Sequence, residues 1–258
     1  MKYNYQTYKG DLYSRERHLL LKNIPIDLLK ILKENNTYIL GGALTSIFTN
    51  NKINDIDLYF KDIEAIEKVN KYINDEIILK NKKGELLFKS DNAITYKIEG
   101  HIIQLIIKVI GKIYDIMDQF DYTICLAGYD ISSDTFEFPQ EFLLHNSQKK
   151  LVFTNNTKYP ICSMFRLNKY INRGYKITGI EMIKIALAIN NLNLENYIDL
   201  KEQLEGIDTF MLQDLTKEFL DKQDVEYNYQ RFLDDFQVYL QKYYDKKDIV
   251  KDMFEGEQ

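Results

Sequence analysis

Tryptophan is absent from the 258 residues, proline occurs 3 times, cysteine twice, histidine 3 times and glycine 11 times. Each scarcity excludes something. Cys125 and Cys162 alone make no disulfide framework, and neither has a partner at metal-ligand spacing. His18, His101 and His145 are scattered, so the histidines and cysteines read as structural, with Cys125 in the core of an apolar strand. No Gly/Ser-rich or Pro-rich linker, low-complexity block or internal repeat stands out. The longest apolar run, Ile185 to Ile189, falls far short of the roughly 18 residues that span a bilayer. The start, Met1-Lys2-Tyr3-Asn4-Tyr5-Gln6, lacks the apolar stretch of a signal peptide, and a cytoplasmic location with no membrane partner is expected. Neither a Gly-Lys-Ser/Thr phosphate loop nor a Gly-x-Gly-x-x-Gly fingerprint is present.

What is present belongs to a globular chain: 45% hydrophobic, 28% charged, and long enough for one large domain or two ordinary ones. The 20 tyrosines follow an AT-rich codon bias and half-buried packing more readily than a base-stacking surface. The net charge of -5 argues against a nucleic-acid partner until its distribution is read. Residues 1–141 carry -3. Residues 142–180 hold no Asp or Glu, while Lys149, Lys150, Lys158, Arg166, Lys169, Arg173 and Lys176 give +7, and the remainder carries -9. An anionic partner is therefore allowed at the basic stretch, where Lys149, Lys150, Arg166 and Arg173 are expected to share one surface. The acidic tail reads as solvated helix.

Apolar spacing predicts the elements. Pro25 suits the first turn of a helix reaching Leu32. Tyr38 to Leu40 is a short strand, followed by Gly41-Gly42 and a helix from Ala43 to Phe48. Ile56, Leu58 and Phe60 alternate with Asp55, Asp57 and Tyr59, the period of a strand with one buried face. Ile63 to Tyr72 is an amphipathic helix. Strands are expected at Ile77–Leu79, Leu86–Phe88, Ile94–Ile98, Ile102–Ile107 and Tyr122–Ala127, with a short helix at Ile113–Met117. Beyond Pro160 the spacing turns helical. The outcome is an α+β chain, a mixed sheet flanked by helices over residues 1–145 and an all-helical domain over 146–258.

The chemistry concentrates in Ile39-Leu40-Gly41-Gly42-Ala43-Leu44-Thr45-Ser46 and Asp55-Ile56-Asp57-Leu58. Alternation on a strand aims Asp55 and Asp57 to one side, and two adjacent carboxylates repel unless a cation joins them, which suits Mg²⁺ or Mn²⁺. A Gly-Gly turn opening a helix leaves N–H groups available and admits a phosphate closely, since no Cβ intervenes. Together they describe metal-dependent phosphoryl or nucleotidyl transfer.

This combination resembles the nucleotidyltransferase superfamily that includes DNA polymerase β and the CCA-adding tRNA nucleotidyltransferases. The family pattern is Gly-Gly or Gly-Ser after an apolar residue, then Asp-apolar-Asp/Glu-apolar on the next strand, and Leu40-Gly41-Gly42 with Asp55-Ile56-Asp57-Leu58 satisfies it. The resemblance implies a DNA polymerase β-like first domain, Asp55 and Asp57 as metal ligands, and Gly41, Gly42 and Ser46 on the triphosphate of an NTP. Ser46 also reads as a plain helix-surface serine. The stretch Phe165-Arg166-Leu167-Asn168-Lys169-Tyr170-Ile171-Asn172-Arg173-Gly174-Tyr175 is similar to a basic helix in CCA-adding enzymes and bacterial poly(A) polymerases. It implies that Arg166, Lys169 and Arg173 contact the incoming nucleotide; a solvated basic helix face is the other reading.

Two departures stand out. Where the family has a third carboxylate on a neighbouring strand, His101-Ile102-Ile103-Gln104-Leu105-Ile106 offers Gln104, an amide that neither takes a proton nor adds charge. Either Asp121 supplies the missing carboxylate, as a catalytic residue, or two carboxylates suffice, or the chain is inactive. Where CCA-adding enzymes have an Arg-Asp pair, this chain has Ala43-Leu44-Thr45-Ser46. The expectation is transfer of NMP from an NTP to a hydroxyl of an RNA 3′ end, a small molecule or a protein. The alternatives are a catalytically silent nucleotide- or nucleic-acid-binding regulator and a structural interaction module on the same scaffold.

Overall fold

Eight strands form one sheet in the computed structural model, which describes residues 2–196 together with Asp199, Leu200, Glu202, Gln203, Asp234 and Gln237. They are β1 (Tyr5–Lys9), β2 (Thr37–Leu40), β3 (Asp55–Phe60), β4 (Gly84–Lys89), β5 (Ala93–Ile98), β6 (His101–Ile110), β7 (Gly128–Asp130) and β8 (Thr135–Pro139). Their spatial order is β1-β8-β7-β2-β3-β6-β5-β4. β3 and β6 run parallel, and the other neighbours are antiparallel. The helices are α1 (Ser14–Leu21), α2 (Ile26–Glu34), α3 (Gly42–Phe48), α4 (Ile63–Tyr72), α5 (Ile113–Met117), α6 (Gln140–Ser147), α7 (Pro160–Asn172) and α8 (Gly179–Asn190). A short parallel ribbon, β9 (Lys150–Leu151) with β10 (Lys176–Ile177), interrupts the stretch expected to be helical.

Apolar alternation places the core. Ile56, Leu58 and Phe60 of β3 join Ile39, Ile103 and Leu105 beneath Leu28 and Leu32 of α2, Leu44 and Ile47 of α3, and Ile66 and Val69 of α4. Each such side chain contributes about 1.5–3 kcal/mol by leaving water. The opposite sheet face carries a smaller cluster, Tyr38 and Leu40 against Ile116 and Met117 of α5. On that face the buried carboxylate of Glu137 accepts hydrogen bonds from Thr7 Oγ1 (2.7 Å), Tyr114 Oη (2.6 Å) and Thr135 Oγ1 (3.0 Å), which ties β1 and α5 to β8.

Local chemistry sets the boundaries. Pro25 precedes the first residue of α2, and Asp62 caps α4 by accepting from the Ala65 amide at 2.9 Å. Glu99 and Gly100 both have positive φ, 48° and 87°, as the two-residue hairpin between β5 and β6 requires.

Two expected strands are not strands. Ile77–Leu79 lies in a wider-wound continuation of α4 over Ile73–Lys80, where the Asn81 amide reaches back five residues to the Glu76 carbonyl at 3.0 Å. Three apolar residues in a row do not separate helix from strand. Tyr122–Ala127 contains a single bridge, Tyr122 with Phe153, and a tight turn at Thr123–Cys125. Every residue from Asp121 to Tyr129 is buried, so no polar alternation marks the backbone state. Cys125 is buried as expected, although in that turn, with Sγ 3.0 Å from Tyr170 Oη. Strands β1, β7 and β8 and helix α1 had no periodic signal strong enough to announce them.

The chain divides into two units, Met1–Lys158 with Asn168–Lys184, and Tyr159–Leu167 with Ile185–Gln258. In the second unit the buried Cys162 thiol donates to the Gln203 carbonyl at 3.3 Å. The acidic C-terminal helices expected beyond residue 203 lie outside the described residues, apart from Asp234 and Gln237. Among the described residues, no helix is long and apolar enough to cross a membrane.

Candidate active site

Strand β2 ends where β3 begins its run of carboxylates. Ile39 pairs with Leu58, so the antiparallel register sets Leu40 opposite Asp57 and brings the Gly41-Gly42 turn beside Asp55. The pairing joins the two halves of the motif, separated by twelve residues in sequence. Ile56 and Leu58 are buried and anchor β3, while Asp55 and Asp57 project from the other face, half-exposed. Asp57 Oδ1 is shielded from solvent.

The two glycines do different work. Gly41 has φ 74° and ψ -120°, a conformation costly to any residue with a side chain, and a Cβ there would stand 3.3 Å from the Phe120 ring. Its amide donates to the Ala127 carbonyl at 2.9 Å. Gly42 begins α3, and a Cβ built on it meets nothing within 4 Å. The backbone there is open to a ligand.

Gln104 occupies the third position in the row. β3 and β6 pair Asp57 with Gln104, and β5 pairs Thr95 with Gln104. The amide Nε2 donates to Thr95 Oγ1 at 3.3 Å. Among the described residues no three His, Cys, Asp or Glu side chains converge closely enough to hold one metal ion. Asp121 is 3% exposed and sits in a bend rather than on a strand; its carbonyl accepts from the Thr154 amide at 2.8 Å. Its neighbour Phe120 packs on Gly41 and on Tyr59, with ring centroids 6.0 Å apart in the latter pair. The sequence carried no sign that Phe120 shapes this turn, because the contact joins segments about eighty residues apart.

Thr45 and Ser46 are buried. Thr45 Oγ1 donates to the Ile124 carbonyl at 2.7 Å and so fastens α3 to the Thr123–Cys125 turn. Ser46 is 4% exposed, one turn into α3 and away from its open N-terminal end. It is therefore not the helix-surface serine that the sequence also allowed. Of the basic residues, Arg166 is half-buried in α7 within the second unit, and Lys169 is exposed within the first. Arg173 lies past the end of α7, its amide donating to the Tyr170 carbonyl at 3.0 Å. It is thus in a turn and not on the helix face that its spacing suggested.

Comparison with known proteins agrees with this geometry at the level of fold. A CCA-adding enzyme of Thermotoga maritima complexed with tRNA superposes with a TM-score of 0.51 at 14% identity, covering 89% of this chain and 58% of that one. A CCA-adding enzyme complexed with ATP gives 0.52 at 13% identity, covering 89% and 59%. The first unit thus has the nucleotidyltransferase fold. In sequence, the chain is 31% identical over 225 residues to Gabija anti-defense 2 of Bacillus phage SPbetaL7, spanning 86% of this chain and 54% of that protein. It therefore covers about half the length of that relative. Residues 11–149, which hold the Gly41-Gly42 turn and the Asp55/Asp57 strand, match the model of the Gabija anti-defense 2 proteins, and the chain belongs to that family.

Proposed function

We propose that this chain is a metal-dependent nucleotidyltransferase that moves an NMP from an NTP to an acceptor hydroxyl and releases pyrophosphate. One observation carries the reading: the β2–β3 register sets the Asp55/Asp57 carboxylates beside the Gly41-Gly42 turn, which is open at Gly42. Hard carboxylate oxygens on one strand face, one of them shielded from water, form a donor set that fits Mg²⁺ or Mn²⁺. Asp55 and Asp57 would hold the metal, which when bound supplies charge neutralisation for in-line displacement at phosphorus. The chain's own residues do the rest. The backbone at Gly42 accepts the triphosphate where no Cβ intervenes, and Gly41 fixes the angle at which α3 starts. Lys169, exposed within the same unit, is proposed as a further cationic partner for phosphate. Asp121 is the carboxylate proposed for the third role, since its neighbour Phe120 touches Gly41.

The acceptor is an RNA 3′ end, a small molecule or a protein hydroxyl. The family relationship supports a role in countering Gabija defence, which the SPbetaL7 relative's name states for that protein. A second reading, a silent binding protein on the same fold, is favoured by Gln104 in register with Asp57.

Incubation with each α-labelled NTP, Mg²⁺ or Mn²⁺ and a mixed RNA and protein pool tests the first reading. Label transfer lost in Asp55→Asn/Asp57→Asn supports it, and transfer that survives the double substitution overturns the metal site. Phage plating on bacteria carrying Gabija separates the readings: protection of the phage that persists in the double variant identifies the silent binder.

A further inference from the structure

Within the first unit, residues 142–158 and 168–180 of the basic stretch acquire a definite shape. Parallel pairing of β9 and β10 sets Lys150 directly beside Lys176, both exposed. The Lys176 amide donates to the Lys149 carbonyl at 2.8 Å, which locks the ribbon to the end of α6. Lys149 itself sits at φ 51°, a left-handed backbone state unusual for a residue other than Gly or Asn, with Nζ 4.4 Å from the centre of the Tyr175 ring. Burial and the nearby Arg173 guanidinium hold the Lys149 ammonium below its usual range. Like charges facing each other across paired strands are destabilising, and nothing in residues 142–180 neutralises them. Of the acids acting on this neighbourhood, Glu181 is engaged by Lys184 at 2.8 Å and by the Phe153 amide at 2.8 Å, and Glu141 lies at the start of α6.

Lys149 also lines a cleft of about 620 Å³. Its walls include Phe48, Asn50, Gln140 and Leu143, an apolar floor with amides, within the size range of small-ligand sites. The cleft opens at the C-terminal end of α3, while the Gly41-Gly42 turn is at the N-terminal end. Seven residues of helix, about 10 Å, separate the two.

We propose that Lys149, Lys150, Arg173 and Lys176 form a phosphate-binding site beside this cleft, distinct from the Gly41-Gly42 turn, for a phosphate-bearing anion supplied by a nucleotide or a polynucleotide. The ribbon sets Lys150 beside Lys176, and Arg173 acts on Lys149; an anion joining these two pairs of cations relieves their repulsion, the inverse of the Asp55/Asp57 pair. This assigns Arg173 to the second site.

Binding of a short fluorescein-labelled single-stranded RNA, by anisotropy, and of ATP, by calorimetry, is measured on the full chain in EDTA. Metal-dependent contacts at Asp55 and Asp57 are thereby removed. The wild type binds at least one probe, with affinity falling as salt rises. Lys150→Gln/Lys176→Gln weakens binding about tenfold or more and lowers the salt slope by about one per lysine, and Lys150→Arg/Lys176→Arg restores it. Lys150 and Lys176 are exposed, so these variants keep the fold; Lys149→Gln/Arg173→Gln is the companion pair. RNA binding that ATP does not displace identifies a polynucleotide as the source, and ATP binding at the same residues identifies a nucleotide. Failure of both probes to bind the wild type, or unchanged binding in both Gln pairs, overturns the site. Asp55→Asn/Asp57→Asn binds as the wild type does; loss of binding there would overturn its separateness. Because that readout needs no NMP transfer, it stands or falls apart from the proposed activity.

Discussion

Gln104 stands directly beside Asp57, held there by the parallel pairing of β3 with β6, and its amide donates to Thr95 Oγ1 at 3.3 Å on the far side. A carboxylate at this position would add a third negative group to the strand face. The amide instead places a neutral polar pair, Gln104-Thr95, beside Asp57 and leaves the charge to Asp55 and Asp57.

Gln104→Glu should therefore tighten Mn²⁺ binding, read from the free-ion electron paramagnetic resonance signal, by about tenfold, because a third negatively charged carboxylate replaces a neutral amide beside the pair. Without metal, the added charge beside Asp57 should lower stability by about 0.5 kcal/mol in urea unfolding. No change in Mn²⁺ affinity would show that position 104 does not face the metal.

Gly41 and Gly42 should separate cleanly under the same substitution. Gly41→Ala places a Cβ at positive φ and 3.3 Å from Phe120, and should cost roughly 1–3 kcal/mol by chemical denaturation. Gly42→Ala meets nothing within 4 Å and should unfold like the wild type while weakening NTP binding. Equal stability losses would contradict the different work assigned to the two glycines.

Glu137 holds three hydroxyl groups on the smaller-cluster face of the sheet. Glu137→Ala should leave the Thr7 and Tyr114 hydroxyls without their acceptor and destabilise the fold by about 2–4 kcal/mol, measured by urea unfolding. Tyr114→Phe removes a single donor and should cost about 1 kcal/mol.

His145 titrates below its ordinary value of 6.5, because burial and then the Lys150 ammonium disfavour its charged form, with Glu141 and Glu181 acting the other way. Its Nδ1 lies 2.7 Å from Thr123 Oγ1. A folded-state value below the unfolded one means the unfolded chain takes up the proton first. The contribution is full above about pH 6.5 and is lost as the pH falls towards the folded-state value. His145→Gln should flatten the stability profile below pH 6.5, read from thermal unfolding; an unchanged slope would assign it to other groups.

Much of the site was legible because its signals are local. Alternating Asp55-Ile56-Asp57-Leu58 defines a strand and the side its carboxylates take, and Gly41-Gly42 after three apolar residues marks a strand giving way to a helix. The strand carrying Gln104 was also readable, by its apolar alternation. The Tyr122–Ala127 turn was not, since residues buried on every side leave no period to count. Nor was the wide-wound end of α4, where a short apolar run suits either state. Arg173 was misplaced because helical spacing says nothing about where a helix stops, and Gly174, with φ 84°, ends the turn there.

By itself, then, the sequence determined the α+β class, the carboxylate strand, the glycine turn and the acid-free basic stretch, since each rests on neighbours in the chain. Tertiary structure alone decided that Phe120 covers Gly41, that Thr45 fastens α3 to the Ile124 carbonyl, and that Lys150 meets Lys176 on a ribbon. Those contacts depend on which distant segments the core brings together, and burial is blind to separation along the chain.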